Sequence, residues 1–183
     1  MTDTRKLEKL KNRLNLVLIA LFCSTTLTPC VYFYVQGAGE IKWLLIFVIV
    51  GYLVSRLPNG FFDRFQISQN LKAYRRLKVH VFKKLSTNGD FINQRIRKEY
   101  PTHRNVTNLD SVKEKLNETY SIERVHTVLF VFCLLTNIYA FLSNELTTAI
   151  ILFVGNIIFN YYPNLLQQYN RIRYMRVVKN YLQ

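Results

Sequence analysis

Gly155-Asn-Ile-Ile-Phe-Asn-Tyr-Tyr-Pro-Asn-Leu-Leu-Gln-Gln-Tyr-Asn-Arg-Ile-Arg173 is the stretch whose reading decides the fold. Asn156, Asn160, Pro163, Asn164, Gln167 and Arg171 recur every three or four residues along it. One face of an otherwise apolar helix is therefore lined with amides and ends in a guanidinium. An amide left unpaired in hydrocarbon is costly, so this face is expected to look at partner helices, a cavity or a ligand. The rest of the chain is read as supplying that partner.

Working outward, the 183 residues are 50% hydrophobic and carry a formal net charge of +14. Length suits one membrane unit. Apolar and basic residues are sorted into separate blocks, and that segregation says more than mean hydropathy. Cys23, Cys30 and Cys133 form no CxxC pair. Seven residues of helix put Cys23 roughly 10 Å from Cys30, beyond disulfide reach, so the thiols read as small apolar residues within membrane segments. His80, His103 and His126 have no metal-ligand spacing with them, and neither a metal nor a cofactor is expected.

Residues 1–13 hold five basic residues against Asp3 and Glu8, and Leu14 to Gly39 is then free of charge for 26 residues. That exceeds the ~20 needed to cross a bilayer. A first span over about 14–36 with a cytoplasmic N-terminus follows. A cleaved signal peptide is the rival reading, against which stands the lack of an A-x-A site. Gly37, Gly39 and Glu40 form a turn into a shorter run, Trp43–Ser55. It spans over 41–55 if Lys42 and Arg56 snorkel at opposite ends, or it is re-entrant.

From Ser55 to Arg124 the chain carries 15 Lys or Arg against 7 Asp or Glu. The positive-inside rule places this region, 56–124, in the cytoplasm. Arg56-Leu-Pro-Asn-Gly-Phe-Phe62 breaks at Pro58 and turns at Asn59-Gly60, which lets Phe61, Phe62 and Phe65 sit at the headgroup boundary. Between Leu71 and Leu85, Leu71, Tyr74, Leu77, Val81, Phe82 and Leu85 form a stripe opposite Lys72, Arg75, Arg76, Lys83 and Lys84. The spacing predicts an amphipathic helix on an anionic bilayer surface. Nucleic-acid binding is disfavoured, because no nucleic-acid module accompanies the basic stretch.

Ser86–Asp90 reads as a turn and Lys98–Asn108, with Pro101, as irregular. Helix resumes near Asp110, with Ser111 and Glu114 spaced for a capping box. It continues into a third span over 125–143. A fourth, 147–167, returns to a tail with Arg171, Arg173, Arg176 and Lys179 and no acid. The expected fold is all-α and integral to the cell membrane. Its four transmembrane helices form two hairpins around a basic cytoplasmic amphipathic-helix region, with both termini cytoplasmic.

An antiparallel turn near Glu145 and Leu146 sets Glu123 level with Gln168 and His126 level with Leu165. Glu123 and His126, three apart, share a helix face. Carboxylate beside imidazole is a general-base arrangement, the acid orienting the ring that takes a hydroxyl proton. Asn160, Asn164 and Gln167 can meet a carbonyl oxygen or sugar hydroxyls, and Arg171 and Arg173 a phosphate or carboxylate. Each has a plainer reading too: an interfacial histidine, amides that hold helices together, and arginines that only enforce topology.

Ser55-Arg-Leu-Pro-Asn-Gly-Phe-Phe62, Glu123-Arg-Val-His126 and Asn160-Tyr-Tyr-Pro-Asn-Leu-Leu-Gln-Gln-Tyr-Asn-Arg-Ile-Arg173 together resemble the glycosyl-4,4'-diaponeurosporenoate acyltransferases. The likeness covers roughly residues 50–175, and Thr127, Gln168 and Ile172 depart from the family pattern. The resemblance implies a small membrane enzyme that esterifies a sugar hydroxyl of a glycosylated carotenoid with a fatty acyl chain. It carries over Glu123, His126, Asn160, Gln167, Asn170, Arg171 and Arg173. An acyl thioester is the expected donor, and a lipid or glycolipid the expected acceptor. The competing expectation is a non-catalytic accessory subunit, or a small transport or immunity component, whose polar face is a packing interface.

Overall fold

The structure, a computed structural model, describes residues 2–85, 90–100, 108–181 and 183, and among them every regular element is helical. Helix α1 (Thr2–Val35) starts well before its apolar run and carries Pro29 inside. The chain reverses at Gln36–Glu40, where Gly37 takes a left-handed φ of +77° that favours glycine. Gly39 lies against the rings of Phe33 and Tyr34, and a Cβ there would come within 2.7 Å of each. Trp43, Phe47 and Tyr139 extend this cluster, with neighbouring centroids 5.8 to 6.3 Å apart. The Tyr139 hydroxyl accepts the Glu40 N–H at 3.1 Å.

Helix α2 (Ile41–Ser55) has 15 residues, about 22 Å at ~1.5 Å per residue, short of a ~30 Å hydrocarbon core. It packs along α7 (Leu109–Leu142), where the bare backbone of Gly51 admits Val128; a Cβ would stand 3.3 Å from Val128 Cγ1. Four short helices lie between: α3 (Asn59–Arg64), α4 (Leu71–Arg76), α5 (Val79–Leu85) and α6 (Asp90–Glu99). The expected Ser86–Asp90 turn and Lys98–Asn108 irregular stretch fall largely outside the described residues.

The single amphipathic helix expected over Leu71–Leu85 is in fact two. Lys78, at φ +55°, breaks it. Its stripe does not lie wholly on a bilayer surface either: Tyr74 and Val79 are fully buried against Leu165, Leu166, Tyr169 and Ile172, while Leu77 and Val81 stay exposed. The cap of α7 also differs from expectation. Asn108 accepts the Ser111 N–H at 2.9 Å, and the Ser111 hydroxyl accepts the Asn108 N–H at 3.1 Å. Helix thus begins at Leu109, one turn before Ser111 could cap it.

α7 ends in a left-handed cap. Asn144 sits at φ +61°, and the Glu145 N–H reaches back to the Ala140 carbonyl at 2.9 Å, closing a Schellman motif. The returning arm is α8 (Leu146–Asn156), a five-residue π-turn at Ile157–Tyr161, and α9 (Tyr162–Tyr181). Three helical stretches are long and apolar enough to cross a membrane: Asn15–Val35, Leu109–Leu142 and Leu146–Tyr181. Their outward faces carry exposed Leu16, Val17, Ile138, Phe141, Ile150 and Phe153.

Candidate active site

The site grows from the π-turn. In an unbroken α-helix the N–H of residue 163 would serve the Phe159 carbonyl, but Pro163 has none. The chain widens instead, and the Tyr162 N–H bonds back to Ile157, five residues earlier. One extra residue rotates everything beyond it by about 100°. Just before the turn Asn156 donates to the Phe130 carbonyl of α7 at 3.0 Å, and within it Asn160 donates to Asn156 Oδ1 at 2.8 Å. Asn160 is completely buried, with Cys133 Sγ 3.9 Å from its amide nitrogen. The His126 imidazole lies beside the Asn160 side chain and the Phe159 backbone. It therefore sits on the N-terminal side of the expected level of Leu165.

After the rotation, Gln168 and Arg171 face α7. Gln168 Nε2 donates to Glu123 Oε1 at 2.8 Å, which bears out the expected level of that pair. Arg171, with no solvent exposure, is ion-paired with the other Glu123 oxygen. Its Nη2 donates to the Phe62 carbonyl and to Gln66 Oε1, both at 3.1 Å, and Asp63 lies 3.4 Å from Nε. Its Cζ stands 4.5 Å from the Tyr120 ring centroid, and the Tyr120 hydroxyl donates to Asp63 at 2.8 Å. Tyr74 donates to Gln168 Oε1 at 3.0 Å, and burial lifts its phenol above the usual range.

Two expectations change here. Glu123 is engaged by Gln168 and Arg171, whereas His126, which shares its helix face, lies beside Asn160 and the Phe159 backbone. Arg171 meets the protein's own carboxylate rather than solvent, since a buried guanidinium needs a counter-charge and filled donors. Phe62, expected at the headgroups, is buried, and Arg171 and Arg124 hold its segment; Arg124 Nη2 donates to Leu57 O at 3.2 Å and to Asn59 Oδ1 at 2.8 Å. Phe65 does lie exposed.

The remaining candidates stand along the edge of the polar face. Asn164, Gln167 and Asn170 are half-buried, and the buried Asn164 Oδ1 finds no hydrogen-bond partner. Arg173 is exposed, its guanidinium 5.7 Å from the Tyr169 ring centroid. The structure thus gathers His126 with Asn160, and separately Glu123 with Arg171. Gln168, Asp63, Gln66, Tyr74 and Tyr120 were not on the candidate list. Tyr74 was visible only as a member of an apolar stripe.

These features define an all-helical membrane protein with two buried polar clusters where its longest helices meet. The family model described as glycosyl-4,4'-diaponeurosporenoate acyltransferase matches residues 58–180. That range is most of the chain and includes every candidate residue. The chain belongs to this family and is an acyltransferase of a carotenoid pathway. Comparisons with curated proteins and with solved structures give no match.

Proposed function

We propose that this acyltransferase esterifies a sugar hydroxyl of a glycosylated carotenoid or related glycolipid with a fatty acyl chain from a thioester donor. The reaction takes place at the cytoplasmic leaflet. His126 is the base, and the observation that carries this reading is its place: a half-buried imidazole with its Nδ1 in the interior, on α7 beside the buried amide Asn160 of the returning arm. A neutral imidazole carries a lone pair on one of its ring nitrogens. That nitrogen takes the acceptor's hydroxyl proton as the oxygen attacks the acyl carbonyl. The carbon–sulfur bond then breaks, and the leaving thiolate recovers the proton from the imidazolium, so no net proton is consumed.

Asn164, Gln167 and Asn170 border the acceptor's sugar, and exposed Arg173 meets the donor's anionic end. Glu123 and Arg171 position rather than react. Exposed Phe65, Leu77 and Val81, interleaved with Arg64 and Lys78, rest on anionic headgroups, with both termini on the same cytoplasmic side.

The test is acyl transfer by the purified protein in lipid nanodiscs, with labelled acyl thioester and glycolipid acceptors, beside folded His126→Gln. Loss of about 100-fold or more is expected for the variant. Equal transfer by both proteins would remove His126 from the chemistry. An isolated protein that transfers nothing to a glycosylated carotenoid would favour the accessory-subunit reading.

A further inference from the structure

The arm that returns after the outer turn is longer than a bilayer needs. From Leu146 to Tyr181 it runs 36 residues without leaving the helix, about 54 Å at ~1.5 Å per residue, against a hydrocarbon core of ~30 Å. With Leu146 at the outer edge of that core, Gln167 reaches the inner edge and Arg171 the headgroups. Lys179 lies about 20 Å beyond the hydrocarbon, past the headgroups and past the further ~8 Å over which an anionic surface attracts at physiological salt. The last turns of α9 therefore stand in the cytoplasm as part of a folded head. Ile172 is packed with Tyr74 and Val79, and Tyr174 and Val178 are half-buried.

The open side of these turns has one character. No Asp or Glu occurs between Leu146 and Gln183, and Arg173, Arg176 and Lys179 are all exposed. At ~100° per residue, Asn170, Arg173, Arg176, Val177, Asn180 and Tyr181 fall within an arc of about 140°. Val177 is 38% exposed and Tyr181 65%. The arc thus sets an aliphatic and an aromatic anchor beside two guanidiniums, a composition that suits a protein partner better than a solvated face. Asn170, at its base, belongs to the edge assigned to the substrate.

We infer that this face of α9 docks an acidic protein that carries the acyl chain as a thioester. Carboxylates of the carrier meet Arg173, Arg176 and Lys179, an apolar contact covers Val177 and Tyr181, and the tethered acyl group enters beside Asn164. From Asn164 to Lys179 is about 22 Å along the helix, a distance bridged by a protein that holds its cargo on an extended arm. A free nucleotide thioester brings phosphates for the arginines but leaves the apolar anchors bare, and the bilayer surface is out of reach. The inference rests on the reading of the chain as an acyltransferase that uses a thioester donor.

The experiment titrates a fluorescently labelled acyl carrier protein, charged with a fatty acyl thioester, onto zwitterionic nanodiscs holding wild type, Arg176→Glu/Lys179→Glu or Tyr181→Ala, and reads binding by anisotropy. Transfer to a glycolipid acceptor is measured from the same carrier and from acyl-N-acetylcysteamine, a thioester without a carrier. Charge reversal should weaken binding, and lower kcat/KM for the carrier-bound donor, at least about tenfold, and added salt should weaken wild-type binding in the same direction. Tyr181→Ala should weaken binding about fivefold. Transfer from acyl-N-acetylcysteamine should stay within about twofold in both variants, with the melting temperature unchanged. Equal carrier binding by wild type and the reversed variant would overturn the inference, as would a preference for acyl coenzyme A that the reversal abolishes. Loss of transfer from both donors would make the tail structural, and weaker attachment to anionic vesicles with unchanged carrier binding would assign it to headgroups; either result also overturns it. Transfer from no donor at all would end the acyltransferase reading instead, and the binding titration would still decide the docking face.

Discussion

Replacing Glu123 by glutamine keeps the side chain's shape and removes its charge from beside a guanidinium that has no exposure to solvent. Deleting one partner of such a pair costs ~3–5 kcal/mol, because the other charge stays buried without compensation. Arg171 keeps one further carboxylate, Asp63, 3.4 Å from Nε but 44% exposed and so weakened by solvent. The Gln168 contact survives the substitution in altered form. The expectation is therefore the lower end of the range, about 3 kcal/mol. Arg171→Met alone should cost at least as much. The Glu123→Met/Arg171→Met double variant should recover most of the loss, since no isolated charge remains. Reversible unfolding in mixed micelles, followed by tryptophan fluorescence of Trp43, measures wild type, Glu123→Met, Arg171→Met and the double variant as a double-mutant cycle, with Glu123→Gln beside them. Folded Glu123→Gln should keep transfer activity within a few-fold of wild type. If its unfolding free energy instead stays within about 0.5 kcal/mol of wild type while transfer collapses, the charge of Glu123 serves His126 rather than Arg171, and the reasoning fails.

Three further outcomes are expected. Asn108→Ala removes the side-chain cap of α7 and should cost about 1 kcal/mol, read as a lower melting temperature with unchanged kcat. Gly39→Ala puts a Cβ within 2.7 Å of two aromatic rings and should destabilise by roughly 1–3 kcal/mol, whereas Gly60→Ala, which meets nothing within 4 Å, should leave stability nearly unchanged. Burial raises the Tyr74 phenol above its usual 10.0, so the folded state holds that proton more tightly than the unfolded chain. Its stabilisation is complete below pH ~10 and declines as pH rises through the folded value; Tyr74→Phe should flatten that alkaline slope in unfolding measured between about pH 9 and pH 11.

The long apolar runs dictated the three long helices, because uncharged stretches of that length have few other stable forms. The level of Glu123 with Gln168 followed from the short turn alone. The facing of individual amides did not, because a proline in an apolar run signals a break without saying whether the helix kinks or widens. The π-turn's extra residue turned Gln168 toward α7. Arg171 was legible as a polar terminus of the face, but its partners, Glu123, Phe62, Asp63 and Gln66, come from segments far away in the chain. With basic neighbours at a membrane exit, an arginine reads equally well as a topology signal or a phosphate ligand; only the fold brings the carboxylate to it. The cap of α7 was misread by one turn because Asn108 and Ser111 can each serve as a helix start.

The clasp around Arg171 also bears on how the chain is made. Gln66 and Arg171 are 105 residues apart, so the segment from Leu57 to Ser68 leaves the ribosome long before its anchor exists. During synthesis Glu123 meets the bilayer boundary without its guanidinium, and the Phe62 carbonyl has no donor from α9. Closure of the clasp around Arg171 is thus a late step that waits for α9. A chain cut short before Arg171 should insert its membrane helices yet remain marked for quality control by an unclosed, charge-bearing seam.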